Sequence, residues 1–281
     1  MTKVNLGNIV FSNKSDFVLI GGINVLESRD FALDTASYYK EVCMKLEIPL
    51  VFKASYDKAN RSSFTSFRGP GINKGMEIFK EIKQNLSLPI ITDVHNVEEA
   101  KIASEICDII QIPAFLARQT DLVEAIALTK RIVNIKKPQF ISPNQVKNII
   151  DKFKYFGNEK LLICERGTNF GYDNLVVDML GFGVMKKKCY DLPLIFDVTH
   201  ALQCRQLDQK SSGGRRWQSL DLAKSAISLK ISGIFLESHP KPADALCDGP
   251  SALPLDLLEP YLSQLKQIDS LVKKQIDLEI N

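Results

Sequence analysis

The chain has 281 residues, of which 45% are hydrophobic and 25% charged, and its formal net charge is +3. This length suits one sizeable core and is small for two independent domains. The near balance of charges gives no argument for a nucleic-acid or membrane-surface partner, and no apolar stretch approaches the roughly 20 residues that span a bilayer. Because Met1–Val10 lacks the charged-then-apolar order of a secretion signal, we expect a cytoplasmic protein whose six scattered cysteines are reduced.

The first predicted element is a β-hairpin within residues 1–12. Val4–Leu6 and Ile9–Phe11 flank Gly7-Asn8, a pair suited to a two-residue turn. A hairpin that precedes a barrel can close the barrel floor, and we expect that role here.

Eight short apolar runs follow the hairpin, and each ends in polar or ionisable residues. A charged tip at the end of an apolar strand adds little to a core, so its repetition indicates strand ends that share one hydrated surface. With helix-like stretches between the runs, the pattern predicts an α/β fold, a (β/α)8 TIM barrel with a charged mouth. The runs are Val18–Asn24, Leu50–Tyr56, Ile90–Val94, Ile109–Pro113, Val133–Pro138, Leu161–Gly167, Leu194–His200 and Gly233–Ser238.

Amphipathic segments separate these runs and predict eight helices. An open doubly wound sheet would need a G-x-G-x-x-G turn after an early strand, and Gly21-Gly22 is followed instead by Ile23–Leu26. We therefore predict a single barrel domain over residues 1–281. The helices are predicted at Phe31–Leu46, Gly75–Leu86, Val97–Ile106, Leu122–Lys130, Val146–Phe156, Leu175–Lys188, Trp217–Lys230 and Leu257–Lys274.

The loop after the second run combines three cations with uncharged donors. Lys53, Lys58 and Arg61 supply the cations, and Asn60 and Ser62 supply the donors. An ammonium acts as a point charge, whereas a guanidinium matches the geometry of carboxylate or phosphate oxygens. The alternative for each single residue is an ordinary solvated loop.

Three further cations follow the fourth, fifth and sixth runs. Arg118 follows the fourth run, and strand alternation allows only one of Lys136 and Lys137 to face the mouth, where we place Lys136. By the same rule only one of Glu165 and Arg166 faces the mouth, and Arg166 is the better match to an otherwise cationic mouth. So many cations would repel one another unless anions joined them, which favours substrates with more than one phosphate or carboxylate.

An acidic and imidazole-bearing set follows the third, seventh and eighth runs. It consists of Asp93, His200, Glu237 and Asp248. Such a set can hold a divalent metal, or it can manage protons around an activated water. These residues alone leave both interpretations open.

Several long motifs resemble the 3-deoxy-D-manno-octulosonate 8-phosphate synthase family, and the resemblance runs from about Asn5 to Leu271. The family's members are metal-independent or metal-dependent cytoplasmic barrel enzymes, commonly tetrameric. They condense phosphoenolpyruvate with D-arabinose 5-phosphate and water, release inorganic phosphate, and begin the Kdo branch of lipopolysaccharide synthesis. The motifs are Gly21–Ser28, Phe52–Ser55, Asp57–Ser63, Pro113–Gln119, Asn169–Asp173, Asp197–His200 and Cys247–Pro250.

The resemblance implies roles for individual residues. Asn24, His200, Glu237 and Asp248 are implied to position and deprotonate the water, with Lys136 and Arg166 on the phosphate of phosphoenolpyruvate. Arg61 and Ser62 are further implied to reach a neighbouring subunit of a homotetramer. The remaining residues implied to bind substrate are Lys53, Ser55, Lys58, Asn60, Asp93, Gln111, Ala114, Arg118, Gln203 and Arg205.

The family's two classes differ at one position. The metal-dependent class binds a divalent ion with Cys, His, Glu and Asp, and in the other class an Asn replaces the Cys. This chain carries Asn24 at that position, and an amide is a poor soft-metal ligand beside a thiolate. We therefore expect no metal and no other cofactor.

Three other functions are weighed against this one. A related chemistry takes erythrose 4-phosphate and makes a seven-carbon acid. A Schiff-base aldolase could use Lys53 or Lys136, since neighbouring cations depress the pKa of an amine. A catalytically silent sensor of sugar phosphates would lack one of the implied catalytic residues, and none is missing here.

Overall fold

The computed structural model describes residues 2–171, 173–204 and 213–278. Eight of its strands confirm the predicted apolar runs. Seven end one to three residues before the end of the run, and the eighth ends at His239, one residue after its run. The described strands are β1 (Val4–Leu6), β2 (Ile9–Phe11), β3 (Val18–Gly22), β4 (Leu50–Lys53), β5 (Ile90–Asp93), β6 (Ile109–Ile112), β7 (Ile132–Lys136), β8 (Leu161–Glu165), β9 (Leu194–Asp197), β10 (Gln203–Cys204), β11 (Gly213–Gly214), β12 (Gly233–His239) and β13 (Leu253–Pro254).

Eight of these strands form a closed parallel barrel. Strands β3 to β9 pair in chain order, and β12 pairs in parallel with both β9 and β3, which closes the ring. The short β13 extends β12 at its C-terminal end, and β10 and β11 form a separate antiparallel pair. The predicted (β/α)8 barrel is confirmed.

Helices cover the outside of the barrel, close to their predicted bounds. The predicted helix from Leu175 starts only at Met179, because Thr168 and Val176 form a bridge and the Asp178 carboxylate caps the helix by accepting from Leu180 N. The described α-helices are α1 (Arg29–Lys45), α2 (Ile72–Leu86), α3 (Val97–Ile106), α4 (Thr120–Leu128), α5 (Val146–Tyr155), α6 (Met179–Lys188), α7 (Val198–Ala201), α8 (Ser219–Ile227) and α9 (Leu258–Lys273).

Five 3-10 helices complete the regular structure of the described residues. They lie at strand ends and before helices, where one tight turn redirects the chain. Their bounds are Ala114–Leu116, Pro143–Gln145, Arg216–Gln218, Gly249–Ser251 and Leu255–Leu257.

The N-terminal hairpin closes the floor of the barrel, as predicted. β1 pairs antiparallel with β2, and Val4, Ile9 and Phe11 pack into one buried cluster with inward-facing strand residues. Phe11 is completely buried. The cluster takes apolar residues such as Val18 and Ile195 from the strands, so the floor is a packed core.

Alternation along the strands separates this floor from the mouth. In β7, Ile132 belongs to the floor cluster, whereas Val133 and Ile135 pack outward against the helices. Asn134 and Lys136 are therefore the next inward positions, and Lys136 reaches the mouth. Most barrel strands repeat this order, with an apolar inward residue followed two positions later by a polar one.

Candidate active site

A cavity of about 710 Å³ opens at the C-terminal mouth of the barrel. Its wall is formed by the strand ends and the loops that follow them, where TIM-barrel enzymes carry their active sites. Most of the residues that the sequence singled out meet here. Those that line the cavity are Lys53, Lys58, Asn60, Arg61, Ser62, Asp93, Gln111, Ala114, Lys136, Arg166, His200, Gln203 and Asp248.

Two cations lie on one side of the cavity. The Lys136 ammonium pairs with the Asp197 carboxylate and lies 3.1 Å from the centroid of the Phe235 ring. Arg166 Nη2 donates to Gln203 Oε1 at 2.7 Å and to the His200 carbonyl at 3.3 Å. The side chains are therefore held in place before any ligand arrives, which is the condition for strong anion binding.

The choice between adjacent residues at two strand ends follows the predicted alternation. Lys137 points away from the cavity, where its Nζ lies 3.1 Å from Thr168 Oγ1 and 3.5 Å from Glu165 Oε1. Glu165 Oε1 also accepts from the backbone N–H groups of Arg166 and Gly167, at 2.8 and 2.7 Å. Glu165 thus fixes the turn that directs the Arg166 side chain inward.

Lys53 lies at the bottom of the cavity and is almost completely buried. Its ammonium pairs with the fully buried Glu237 carboxylate and donates to Ser55 Oγ at 3.0 Å and to the Asn24 carbonyl at 3.3 Å. Glu237, Ser55 and Asn24 thus lie directly behind the cavity wall. An ion pair so deeply buried is held by these additional hydrogen bonds.

Lys58 lies higher in the wall and faces several acidic groups. Burial lowers the pKa of its ammonium, but the charges of Glu237, Asp93 and Asp248 outweigh burial and raise it. For Asp248, burial raises the pKa of the carboxyl group, whereas the charges of Lys58 and His200 lower it below its usual range. Both groups are therefore charged at neutral pH.

His200 is oriented by the carboxylate three residues before it. Its Nδ1 lies 2.8 Å from Asp197 Oδ2, and its backbone N–H donates to Asp197 Oδ1 at 2.9 Å. The other ring nitrogen, Nε2, lies 3.5 Å from Glu237 Oε2. Since the Asp197 carboxylate accepts from Nδ1, Nε2 is the ring nitrogen directed toward Glu237.

Asn24 is held by its amide nitrogen and leaves its amide oxygen unused. Nδ2 donates to the Cys247 carbonyl at 2.6 Å. Among the described residues, neither Asn24 Oδ1 nor Glu237 Oε2 has a hydrogen-bond partner, although both are buried. Buried acceptors without a partner are suited to binding a water molecule, and one of them, Glu237 Oε2, lies 3.5 Å from His200 Nε2.

The loop that follows Lys58 contributes Asn60, Arg61 and Ser62 to the same cavity. Arg61 Nη1 lies 2.7 Å from Cys247 Sγ. In this single chain the Arg61 guanidinium therefore faces its own cavity. Its reach toward a neighbouring subunit stays a prediction.

Besides Ser55, which lies behind the wall, two residues implied to bind substrate are not among those that line the cavity of the described chain. Arg118 is exposed in the turn before α4 and is absent from the cavity wall that these residues form. Arg205 lies outside the described residues. For both, the implied role stays a prediction.

Several residues of the cavity wall are not among the predicted site residues. Asp197 is the most important of them, because it binds both Lys136 and His200. A signal was available, since an Asp three residues before a His can cap a short helix, as Asp197 caps α7. The other wall residues that were missed include His95, Gln139, Asn169, Asp173 and Cys247.

Comparisons of the sequence with known proteins identify the family to which the chain belongs. The profile of the DAHP synthetase I family matches residues 1–274. A protein of Parasynechococcus marenigrum (strain WH8102) named 2-dehydro-3-deoxyphosphooctonate aldolase is 64% identical over 279 residues, which cover 99% of each chain. Proteins of the same name from Janthinobacterium sp. (strain Marseille) and Salmonella arizonae are 60% and 58% identical, over 100% and 98% of this chain and 99% and 97% of their own. The chain belongs to the DAHP synthetase I family and, within it, to the 2-dehydro-3-deoxyphosphooctonate aldolases.

Proposed function

We propose that this chain condenses phosphoenolpyruvate with D-arabinose 5-phosphate and water, giving 3-deoxy-D-manno-octulosonate 8-phosphate and inorganic phosphate. The observation that carries the proposal is the 64% identity, over almost the full length, to a protein named for the aldol reaction of this product. The cavity supports it, because its cations suit two phosphates and a carboxylate. The reaction belongs to the Kdo branch of lipopolysaccharide synthesis.

Phosphoenolpyruvate binds at the bottom of the cavity in this proposal. Lys136 and Arg166 hold its phosphate, and Lys53 and Lys58 face its carboxylate. Ammonium and guanidinium groups fixed in a partly buried site stabilise the charge that builds on a departing phosphate. Gln111 and Ala114 line the same part of the cavity.

Arabinose 5-phosphate binds nearer the opening. Asn60, Arg61 and Ser62 receive its phosphate, and the Arg61 fork matches the phosphate oxygens. Asp93 and Gln203 face the sugar hydroxyls, and Arg118 and Arg205 are proposed to add contacts to the bound anions.

In the chemical step, C3 of the enol attacks the sugar aldehyde and forms the new C–C bond. Positive character then develops at C2, where water adds and loses a proton. The bond from C2 to the phosphate oxygen then breaks while the new hydroxyl on C2 loses its proton, so phosphate leaves and C2 becomes the ketone carbon. The former aldehyde oxygen takes up a proton and becomes a hydroxyl. Asn24 and Glu237 bind the water, His200 Nε2 or Glu237 takes its proton, and the charge of Asp248 stabilises the positive C2.

We propose further that the reaction needs no metal ion. The Asn24 amide donates to a carbonyl, and one Glu237 oxygen is paired with the Lys53 ammonium. The His, Cys, Asp and Glu residues of the described ranges include no group of three or more that could hold a metal ion. The donor set does not fit a thiolate-type metal site, so no step is assigned to a metal.

The enzyme is proposed to work as a homotetramer in the cytoplasm. Phe64 is 98% exposed in the loop that carries Arg61 and Ser62, and large exposed apolar groups beside a site favour a protein contact. Among the described helices, none is long and apolar enough to cross a membrane. Light scattering of the purified protein tests the subunit number, and Phe64→Ser should weaken the assembly.

Phosphate release in the presence of EDTA tests the main proposal. The protein is mixed with phosphoenolpyruvate and either arabinose 5-phosphate or erythrose 4-phosphate. Release with the five-carbon sugar, undiminished by EDTA, is expected. Release only after a divalent ion is added would overturn metal independence, and release with erythrose 4-phosphate alone would favour the seven-carbon chemistry to which the DAHP family name points.

A Schiff-base mechanism is the second candidate, because burial lowers the pKa of Lys53. Its pairing with the Glu237 carboxylate acts against this role, because that charge raises the pKa of the amine and offsets part of the effect of burial. Borohydride reduction with either substrate or pyruvate present, followed by mass spectrometry, separates the two mechanisms. A covalent adduct on Lys53 would overturn the direct condensation.

A further inference from the structure

A chain of hydrogen bonds runs from the cavity wall into helix α3. Asp93, in the wall, has both carboxylate oxygens engaged: Oδ1 accepts from Ser55 Oγ, and Oδ2 lies 3.1 Å from His95 Nε2. On its other side, His95 Nδ1 lies 3.0 Å from Glu99 Oε2. The imidazole therefore bridges two carboxylates, one inside the cavity wall and one behind it.

Glu99 is fixed by the N-terminal cap of α3. Asn96 Oδ1 accepts from Glu99 N at 2.9 Å, and Asn96 Nδ2 donates to Glu99 Oε1 at 3.0 Å. Glu99 Oε2 accepts from His95 N at 2.7 Å and from the hydroxyl of the buried Tyr56 at 2.6 Å. This reciprocal arrangement resembles a capping box, which holds a carboxylate in one rotamer.

The geometry requires both ring nitrogens of His95 to donate, because each faces a carboxylate oxygen. Only the imidazolium has two N–H groups. Burial lowers the pKa of His95, but its hydrogen bonds to Asp93 and Glu99 outweigh burial and raise the pKa to about 9. For Glu99, burial raises the pKa, and the hydrogen bonds from His95 and Tyr56 outweigh it and lower the pKa to about 2.

We propose that Glu99 is a positioning residue for the sugar phosphate, which acts by keeping His95 charged and Asp93 fixed in the cavity wall. With Glu99 in place, Asp93 presents an ionised carboxylate whose orientation does not change when the ligand enters. Without the Glu99 charge, His95 becomes neutral and can donate from only one ring nitrogen, so the charge that attracts the Asp93 carboxylate is lost and Asp93 is held less firmly. The inference rests on the proposed function, in which Asp93 faces the sugar.

Other charged groups act on this chain from the neighbouring elements. Lys53 and Lys58, at the end of β4 and in the loop after it, attract Asp93, which also lowers the pKa of that carboxyl group. Asp57, paired with Arg68, lies near Tyr56. The groups to be considered when His95 titrates are Asp93, Glu99, Tyr56, Lys53, Lys58, Asp57 and Arg68.

Glu99→Gln tests the proposal, since the amide keeps the shape of the side chain and removes its charge. Asn96→Ala is the matched control, because it weakens the same helix cap and leaves the Glu99 carboxylate beside His95. Both variants are compared with the wild type by phosphate release between pH 6 and 9. Circular dichroism confirms that each variant is folded.

The expected result is a change of pH profile confined to Glu99→Gln. At pH 8.5, kcat/KM for arabinose 5-phosphate should fall at least about ten-fold relative to the wild type, because each unit of lowered His95 pKa reduces the charged fraction up to ten-fold. At pH 6 the loss should shrink to about two-fold or less, and the KM for phosphoenolpyruvate should change little. Asn96→Ala should keep the wild-type profile.

A second readout does not depend on turnover. The chain has three histidines, so NMR of ring-labelled protein can follow His95, assigned by comparison with His95→Gln. Its titration should move from about 9 toward the ordinary value of about 6.5 in Glu99→Gln. An unchanged His95 titration, or equal pH profiles for Glu99→Gln and Asn96→Ala, would overturn the proposal. If the wild type itself shows no turnover, the proposed function fails, and sugar-phosphate affinity measured by calorimetry at pH 6 and 8.5 decides the role of Glu99.

Discussion

The two ends of the barrel are built from the same eight strands and have opposite chemistry. At the floor, inward-facing residues such as Val18 and Ile195 are apolar, and the hairpin residue Phe11 covers them. At the mouth, two positions further along β9 and four further along β7, the inward-facing residues include Asp197 and Lys136. A spacing of two residues is thus enough to separate a packed core from a charged site.

The two ends of the barrel also contribute differently to the free energy of folding. The floor is stabilised by apolar burial, whereas the mouth contains buried ions whose removal from water is costly and has to be offset by pairing. We therefore expect floor variants to lose stability and keep activity, and mouth variants to lose much more activity than stability. Variants of the two ends and changes of pH test this division, from the largest expected effect to the smallest.

Lys136→Met should have the largest effect on activity. It removes the cation proposed to hold the departing phosphate, so kcat/KM should fall by roughly 10³-fold while the barrel stays folded. Phosphate release and circular dichroism measure the two quantities. The adjacent Lys137→Met is the control, because that side chain packs outside the cavity and its loss should lower the melting temperature more than the activity. Activity of Lys136→Met above a tenth of the wild type would contradict the division.

Phe11→Ala should have the largest effect on stability. It leaves a void in the floor cluster, so the free energy of unfolding should fall by about 3–5 kcal/mol. Urea unfolding measures this change. The kcat of the folded fraction should be unchanged, and a parallel loss of kcat would show that floor and mouth are coupled.

Acid should destabilise the protein through the mouth. Burial raises the pKa of Asp197, but the charges of His200, Lys136 and Arg166 outweigh it and hold the pKa below the usual range. A carboxyl group with a lowered pKa contributes stability above its unfolded pKa of about 4, and that stability is lost as the pH falls toward the folded value. The free energy of unfolding should therefore decrease below about pH 5, by on the order of 2 kcal/mol for each such group.

The alkaline side has the opposite sign for His95. Its pKa is raised to about 9, so its contribution is complete below about 6.5 and is lost as the pH rises through 9. Urea unfolding from pH 3.5 to 9.5 should show greatest stability between about pH 5 and 6.5. A curve that stays flat from pH 7 to 4 would mean that the mouth carboxylates contribute nothing to stability.

Asn13→Ala should have the smallest effect. Asn13 is buried at the floor, where its Nδ2 donates to the Leu192 carbonyl at 3.0 Å and its Oδ1 accepts from Leu194 N at 2.9 Å. Losing these bonds should cost about 1–3 kcal/mol of unfolding free energy. Thermal unfolding measures the loss, and phosphate release should be unaffected.

The sequence predicts the barrel well because its signal is periodic and repeated. Alternation allows only one residue of each adjacent pair at a strand end to face the mouth, and the structure places the predicted Lys136 and Arg166 side chains in the cavity. The hairpin at Gly7-Asn8 is also readable, because a two-residue turn is a local feature. Features that depend on neighbours in the chain are thus accessible from sequence.

Contacts between residues that are far apart in the sequence are harder to predict from it. Asp197 of β9 meets Lys136 of β7, with only β8 between the two strands, and no local spacing in the sequence reveals that pair. The bridge between His95 and Glu99 is not predicted from the sequence either, although the residues are about one helical turn apart. Its role depends on contacts with Asp93 and Tyr56 that form only in the folded wall. Arg118 shows the converse, because a cation after a strand need not turn inward.

The hairpin at the floor also constrains the order in which the chain can fold. Phe11 belongs to the same cluster as Phe235 of β12, the last strand to enter the barrel. The hairpin is synthesised before β12 and therefore has no completed binding surface until the barrel strands up to β12 have been made. The hairpin residues can therefore pack fully only after the last barrel strand is in place, so closure of the floor is a late step of folding.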